Sequence, residues 1–261
     1  DTTGHVKKVN LIKSSGFQEL DYAAQDYSSN LIFKPIIIEN QPVVKWIKWK
    51  VNYKLEEDLM AARLSGVNIL LYTKASEFEH ESRYAGIKAI NKLGKEYNFK
   101  VYATEDSSHF TEENLAKYDV IVFLSTSGNV LDDTGKNSLK NFINNGGGFV
   151  GIHGATDTEY DWKWYGELIG NYFKDHPKQQ EAVINVLIEE HPSTKHLPSK
   201  WVWFDEWYNW RYDFNENIMI LITVDESTYD GGIHGEFHPV AWCQDFDGGR
   251  SWYTALGHRE E

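Results

Sequence analysis

Histidines, carboxylates and hydroxyls recur just beyond short apolar runs in this sequence, which is where an open α/β sheet carries its chemistry. The run at 67–73 is followed by Phe78, Glu79, His80, Glu81 and Ser82. The run at 99–104 leads to Glu105 and Asp106, and that at 119–124 to Ser125, Thr126 and Ser127. The run at 149–152 ends on His153, inside Gly151-Ile152-His153-Gly154-Ala155-Thr156-Asp157. Residues 151–155 have the outline of a nucleophile elbow, whose crowded backbone demands small neighbours. Cysteine or serine at the apex would form an acyl-enzyme. Histidine there points instead to a general base, a general acid or a metal ligand near neutral pH. Glutaminase and esterase chemistry are therefore excluded. Cys243, the single cysteine, does not restore them. It lies far along the chain, in an expected strand, and reads as a small hydrophobe.

Other groups have two readings each. Asp157 either orients the His153 imidazole or caps the next helix. His176 precedes Pro177, which biases it toward extended backbone in a loop. Glu206, between Asp205 and Trp207, is either a general acid whose pKa is raised by aromatic packing or a solvated strand carboxylate. Arg250 either binds substrate hydroxyls or forms a structural bridge. His258 follows a strand and a glycine, as His153 follows a strand. Aromatic residues make up 15% of the chain, with ten tryptophans. Several lie in polar company, as in Trp162-Lys163-Trp164-Tyr165 and Glu206-Trp207-Tyr208-Asn209-Trp210. Such rings suit either a wet cleft that covers an apolar sugar face or ordinary packing at the rim. No HExxH or other tight ligand spacing occurs, so no metal ligand is assigned; a site assembled from distant strand ends stays open.

The elements that must position these groups follow from periodicity. Buried parallel strands are expected at 67–73, 99–104, 119–124 and 149–152. A helix with the stripe Ile87, Ile90, Leu93 and Tyr97 is expected over 82–98. Thr111 can cap a short helix at 112–117. A helix marked by Leu139, Phe142 and Ile143 stops at Gly146-Gly147-Gly148. That glycine run precedes a strand, whereas a dinucleotide fingerprint follows one, so oxidation by this domain alone is not expected. Beyond Gly170, strands are expected at 182–188, 201–205, 217–224 and 251–256. Residues 1–66 differ: a β-branched run at 36–38, a turn at 39–42, strict alternation from Ile47 to Lys54, and a short helix at 55–64. This predicts a β-rich attachment at 1–66 and an α/β domain at 67–261.

The formal net charge is −13. Residues 1–66 carry 9 Lys and Arg against 8 Asp and Glu, and residues 67–261 carry 17 against 31. So acidic a domain repels phosphate backbones and anionic membranes, which leaves a neutral small molecule as the expected partner. No apolar run approaches a membrane span, so no membrane insertion is expected. No signal-peptide pattern is present, and localisation is left open.

Taken together, the chain from about residue 67 resembles the trehalose-utilisation (ThuA-like) family. The resemblance rests on Phe78-Glu79-His80-Glu81-Ser82, Gly146 to His153, Asp161-Trp162-Lys163-Trp164-Tyr165-Gly166, Tyr172 to Pro177 and His191-Pro192-Ser193-Thr194. It continues through Asp205-Glu206-Trp207-Tyr208, Asp225 to Tyr229, His238 to Trp242 and Gly248 to His258. It implies a three-layer, flavodoxin-like fold of the class I glutamine amidotransferase-like type. That fold is a mostly parallel sheet with helices on both faces, continuing in the family into a last helix beyond His258. It also implies disaccharide or keto-sugar metabolism. By similarity His80, His153, His176, Glu206, His238 and His258 lie near one cleft. The expected catalytic set is His153, Glu206, His258 and Asp157. The expected substrate-binding set is His80, Ser125, Trp164, His176, Trp207, Tyr208, His238 and Arg250. No cofactor is named. The leading expectation is an enzyme acting on a glycoside or its 3-keto derivative by histidine acid/base chemistry. A non-catalytic sugar- or partner-binding module, working beside an oxidoreductase or as a homo-oligomer, and a metal-dependent hydrolase are the alternatives.

Overall fold

Four runs of β-branched and aliphatic residues, too short for helices and apolar on both faces, build the centre of the sheet. In the computed structural model, which describes residues 1–16, 18–51 and 62–260, the chain divides into two compact units, Asp1–Met60 and Ala61–Glu261. In the first, helix α1 (Gln18–Ser29) precedes a hairpin of β1 (Ile36–Ile38) and β2 (Gln41–Val43). Glu39 and Asn40 turn the hairpin with φ of 49° and 61°, as a two-residue turn between twisted strands requires. The alternation from Ile47 does not make a strand among the described residues: 46–51 pair with no neighbour, and Ile47 and Trp49 are exposed. Period-two patterning needs a ladder partner to become a strand. Residues 52–61, with most of the expected helix at 55–64, lie outside the described residues; 62–64 are helical.

The second unit holds a nine-stranded sheet. Its parallel strands are β3 (Asn68–Tyr72), β4 (Lys100–Thr104), β5 (Val120–Leu124), β6 (Gly148–Ile152) and β13 (Gly249–Thr254). The other half is antiparallel: β12 (His238–Phe246), β11 (Met219–Asp225), β8 (Gln180–Val186) and β9 (Lys200–Asp205). Two further short strands, β7 (Phe173–Asp175) and β10 (Asn209–Trp210), pair with each other. The order is β4-β3-β5-β6-β13-β12-β11-β8-β9. The sheet is thus mixed rather than mostly parallel. Parallel neighbours need helical crossovers, and the helical periodicity stops after Gly170.

Helix α2 (Ser82–Tyr97) covers one face of the parallel half, where Ile87 and Ile90 pack on Leu71, Val122 and Leu124. Leu93, expected in its stripe, is 43% exposed. Glycines instead bring the helix close to the sheet: a Cβ on Gly86 would meet Leu124 at 2.9 Å, and one on Gly94 the Phe99 carbonyl at 2.9 Å. Helices α3 (Glu112–Leu115), α4 (Asp133–Asn144) and α5 (Lys163–Ile169) cover the other face over the larger core, with Leu115, Leu139, Ile143, Tyr165 and Leu168 buried. Thr111 caps α3 by accepting the Asn114 amide, as expected. Cys243 lies in β12, half-buried, where burial pushes its thiol up.

The loop after β5 is stapled by one buried carboxylate. Glu159 Oε1 accepts the amides of Val130 and Leu131, both at 2.8 Å, and Oε2 lies 2.6 Å from Lys136 Nζ. Replacing Lys136 by methionine leaves that charge buried without its cation. Lys136→Met is expected to lose about 3–5 kcal/mol in urea unfolding, with part restored when Glu159→Gln is added.

Candidate functional site

The carboxyl edge of the parallel strands gathers groups from both halves of the sheet. β6 and β13 end there, and so do β9 and β11, while β8 and β12 begin there. His153 follows β6 with φ of 50° and opens a single tight turn over 153–156, the geometry expected of the elbow. Left-handed backbone on a non-glycine residue is costly and is kept where the surroundings force it. Ser125, just after β5, has φ of 48° and is also buried, with no partner for its hydroxyl among the described residues.

His153 is wholly buried. Its Nδ1–H donates to the Ala255 carbonyl at 2.7 Å, which turns Nε2 toward the edge of the sheet. There Nε2 lies 2.9 Å from Tyr208 Oη, 3.3 Å from His258 Nδ1 and 3.6 Å from Glu206 Oε2. His258 Nδ1 is 3.1 Å from the same Oε2, and His176 Nδ1 is 3.2 Å from Glu206 Oε1. The His80 ring packs edge-on against His153, with centroids 4.6 Å apart. Asp205, itself buried, holds the frame: Oδ1 accepts the amides of Glu206 (2.9 Å) and His258 (3.2 Å), and Oδ2 that of Gly257 (3.0 Å). One ligand-type atom each from His80, His153, Glu206 and His258 falls within 4.8 Å of the others.

Burial works to push the Glu206 carboxyl up, but the adjacent imidazoles of His153 and His258 outweigh it and hold the group well below the usual carboxylate range. The expected upward shift from aromatic packing is thus reversed. The hydrogen bond between Glu206 and His258 raises that imidazole, against the opposing effect of burial. His80 is pushed down to about 3, first by burial and then by His153 and His258 beside it. Burial holds the Tyr208 hydroxyl protonated far above its usual value.

Several expected site residues lie elsewhere. Asp157 does not orient His153, whose Nδ1 is taken by Ala255. Its carboxylate accepts the Tyr160 hydroxyl instead. Trp164 donates Nε1–H to Asp247 at 2.8 Å, in the β12–β13 turn at the opposite edge of the sheet. Arg250 begins β13 at that same far edge, by a depression of about 490 Å³ lined also by Asp245 and Asp247. Trp207 is core, fully buried with Nε1–H donated to the Gln180 carbonyl. His238 is buried behind the site: Nε2 engages the Tyr208 carbonyl at 2.8 Å and Nδ1 the Glu226 carboxylate at 2.7 Å. Residues not foreseen are Gln179, whose side-chain amide lies 2.6 Å from His258 Nε2, and Phe78. Phe78 is 58% exposed and lies against His80. It lines a cleft of about 510 Å³ together with His80, Ser82, Gln179 and His258. Its place directly after the first strand, two residues before His80, was the available signal.

The fold is a mixed α/β sheet with a histidine–glutamate cluster at its carboxyl edge and a histidine, not a thiol, at the elbow. The chain belongs to the ThuA (trehalose utilisation) family, whose model matches residues 68–261. Residues 1–55 match the model for the C-terminal domain of the Gram-negative bacterial TonB protein. The structure is similar to a ThuA-like protein from Bacteroides uniformis, with 25% identity and a TM-score of 0.64 over 82% of this chain and 88% of that one. A ThuA-like protein from Parabacteroides merdae has 23% identity and a TM-score of 0.62 over 74% and 80% of the two chains. A Salmonella typhimurium cytoplasmic protein shares the fold, with 13% identity and a TM-score of 0.51 over 71% and 86% of the two chains. A search of curated proteins returned no match. Among the described residues no helix is long and apolar enough to cross a membrane.

The low value at His80 has a consequence for stability. The folded group titrates at about 3 against an ordinary 6.5. Between these pH values the unfolded chain takes up a proton there and the folded chain does not, so stability falls as pH drops through that window. His80→Gln is expected to flatten the decline by up to about 1.4 kcal/mol per pH unit, read from urea unfolding of chelator-treated protein.

Proposed function

We propose that this chain converts a carbohydrate, a disaccharide or other glycoside or its 3-keto derivative, by proton transfer at the cluster of His153, Glu206 and His258. The carbohydrate follows from the trehalose-utilisation family. The site is supported by one observation above all: the convergence of His153 Nε2, the Glu206 carboxylate and His258 Nδ1 within 3.1–3.6 Å at the strand ends. Two imidazoles and a carboxylate, the groups that proton transfer uses, then stand side by side. His176, the exposed histidine of the set, can exchange protons with solvent. A conventional glycosidase pair is not favoured, because it needs a second carboxylate across the bond. Asp205 is committed to three main-chain amides and Asp157 to Tyr160. Phe78 and the half-buried His258 lie where a sugar ring would enter.

Calorimetry with trehalose, other disaccharides and their 3-keto forms is expected to give heat with one sugar, and mass spectrometry to find its product. His153→Ala is expected to keep binding while turnover falls by about 100-fold or more. Binding with no product from the wild type would identify a sugar-binding module instead. No sugar binding at all would remove the carbohydrate reading.

A further inference from the structure

We infer that the buried cluster of His80, His153, Glu206 and His258 is a binding site for a borderline divalent cation of the zinc class. Ligand-atom spacing carries the argument. Bonds of about 2.0–2.1 Å to a tetrahedral ion place neighbouring ligand atoms about 3.3–3.4 Å apart. The three contacts among His153 Nε2, His258 Nδ1 and Glu206 Oε2 are 3.3, 3.1 and 3.6 Å. His80 supplies the fourth donor, with all four atoms within 4.8 Å.

A second observation is independent of that spacing. His80 is 4% exposed, and its Nδ1 has no hydrogen-bond partner among the described residues. Buried polar nitrogens are rarely left so, and this one belongs to a ring packed edge-on against His153 and His258.

The surroundings are those of a ligand shell as well. Metal-binding histidines generally donate their other N–H to a fixed acceptor, which sets the tautomer and aims the lone pair. His153 Nδ1–H does this to the Ala255 carbonyl. Asp205 pins the backbone at both Glu206 and His258. Three imidazoles and one carboxylate suit zinc, whereas magnesium and calcium prefer oxygen shells. Widely separated positions in sequence are no obstacle, because four strand ends or their loops deliver the donors to one edge.

The inference shares its residues with the proposed reacting centre but does not depend on the sugar. With an ion bound, His153 and His258 would be ligands, and His176 would remain as the exposed histidine of the cluster.

Full-length protein purified without a histidine tag, stripped with a chelator and titrated with Zn²⁺, is expected to bind one equivalent by calorimetry and to retain it in elemental analysis after desalting. Mg²⁺ is expected not to compete. Glu206→Gln and His258→Ala are expected to weaken binding on the order of 100-fold. His258 is half-buried, so its variant keeps the fold testable by circular dichroism. Retention no greater than that of a Glu206→Gln/His258→Ala double variant would overturn the site. So would Zn²⁺ affinity unaltered by either substitution in folded protein. Sugar binding is read without added metal, so either claim can fail while the other stands.

Discussion

One buried carboxylate, Asp205, decides whether this edge of the sheet is a site at all. It takes the amides of Glu206, Gly257 and His258, and so ties the end of β9 to the segment that leaves β13. Those strands lie far apart in the sheet, with β12, β11 and β8 between them. Ser82 adds a second tie, donating its hydroxyl to the Gly257 carbonyl at 2.8 Å, which fixes the start of α2 and with it the loop that carries His80. Three segments are thus held within hydrogen-bonding distance by groups that take no part in the chemistry. An arrangement of this kind supplies preorganisation: the reacting groups keep their places because their backbones cannot move.

The mixed sheet widens what the edge can collect. In a wholly parallel sheet, only strand ends would face the cleft. Here the antiparallel strands β8 and β12 begin where the others end, so His176 and Gln179 arrive just ahead of one strand and His238 at the start of another. His238 does not reach the cleft. It joins Glu226 to the main chain of Tyr208, and Tyr208 in turn touches His153. The backbone strain at His153 and Ser125 is concentrated at the same edge.

The parallel half was readable because its strands are buried on both faces and so write continuous apolar runs, and because Thr111 and the glycines after Asn144 mark helix ends with specific chemistry. The antiparallel half was readable as strands but not as partners. Pairing direction leaves little trace in an amphipathic strand. The tryptophans misled for a related reason. Trp207 has polar neighbours in sequence yet is core, because the short connection between β9 and β10 that carries it is buried with Glu206 and Tyr208. Trp164 and Arg250 looked like site residues by type, but they stand at the far edge of the sheet.

The sequence by itself determined the α/β class, the elbow with histidine at its apex, the absence of a nucleophilic cysteine there, and the identity of the histidines that follow strands. These are local properties, set by side-chain period and backbone strain within a few residues. Only the tertiary structure decided which of those groups meet. His80, His153, Glu206 and His258 are separated by tens of residues, and their proximity depends on strand order and on hydrogen bonds through Asp205. It also decided the protonation balance of the cluster. Whether Glu206 is raised by burial or lowered by imidazoles depends on distances of about 3 Å that no spacing along the chain encodes.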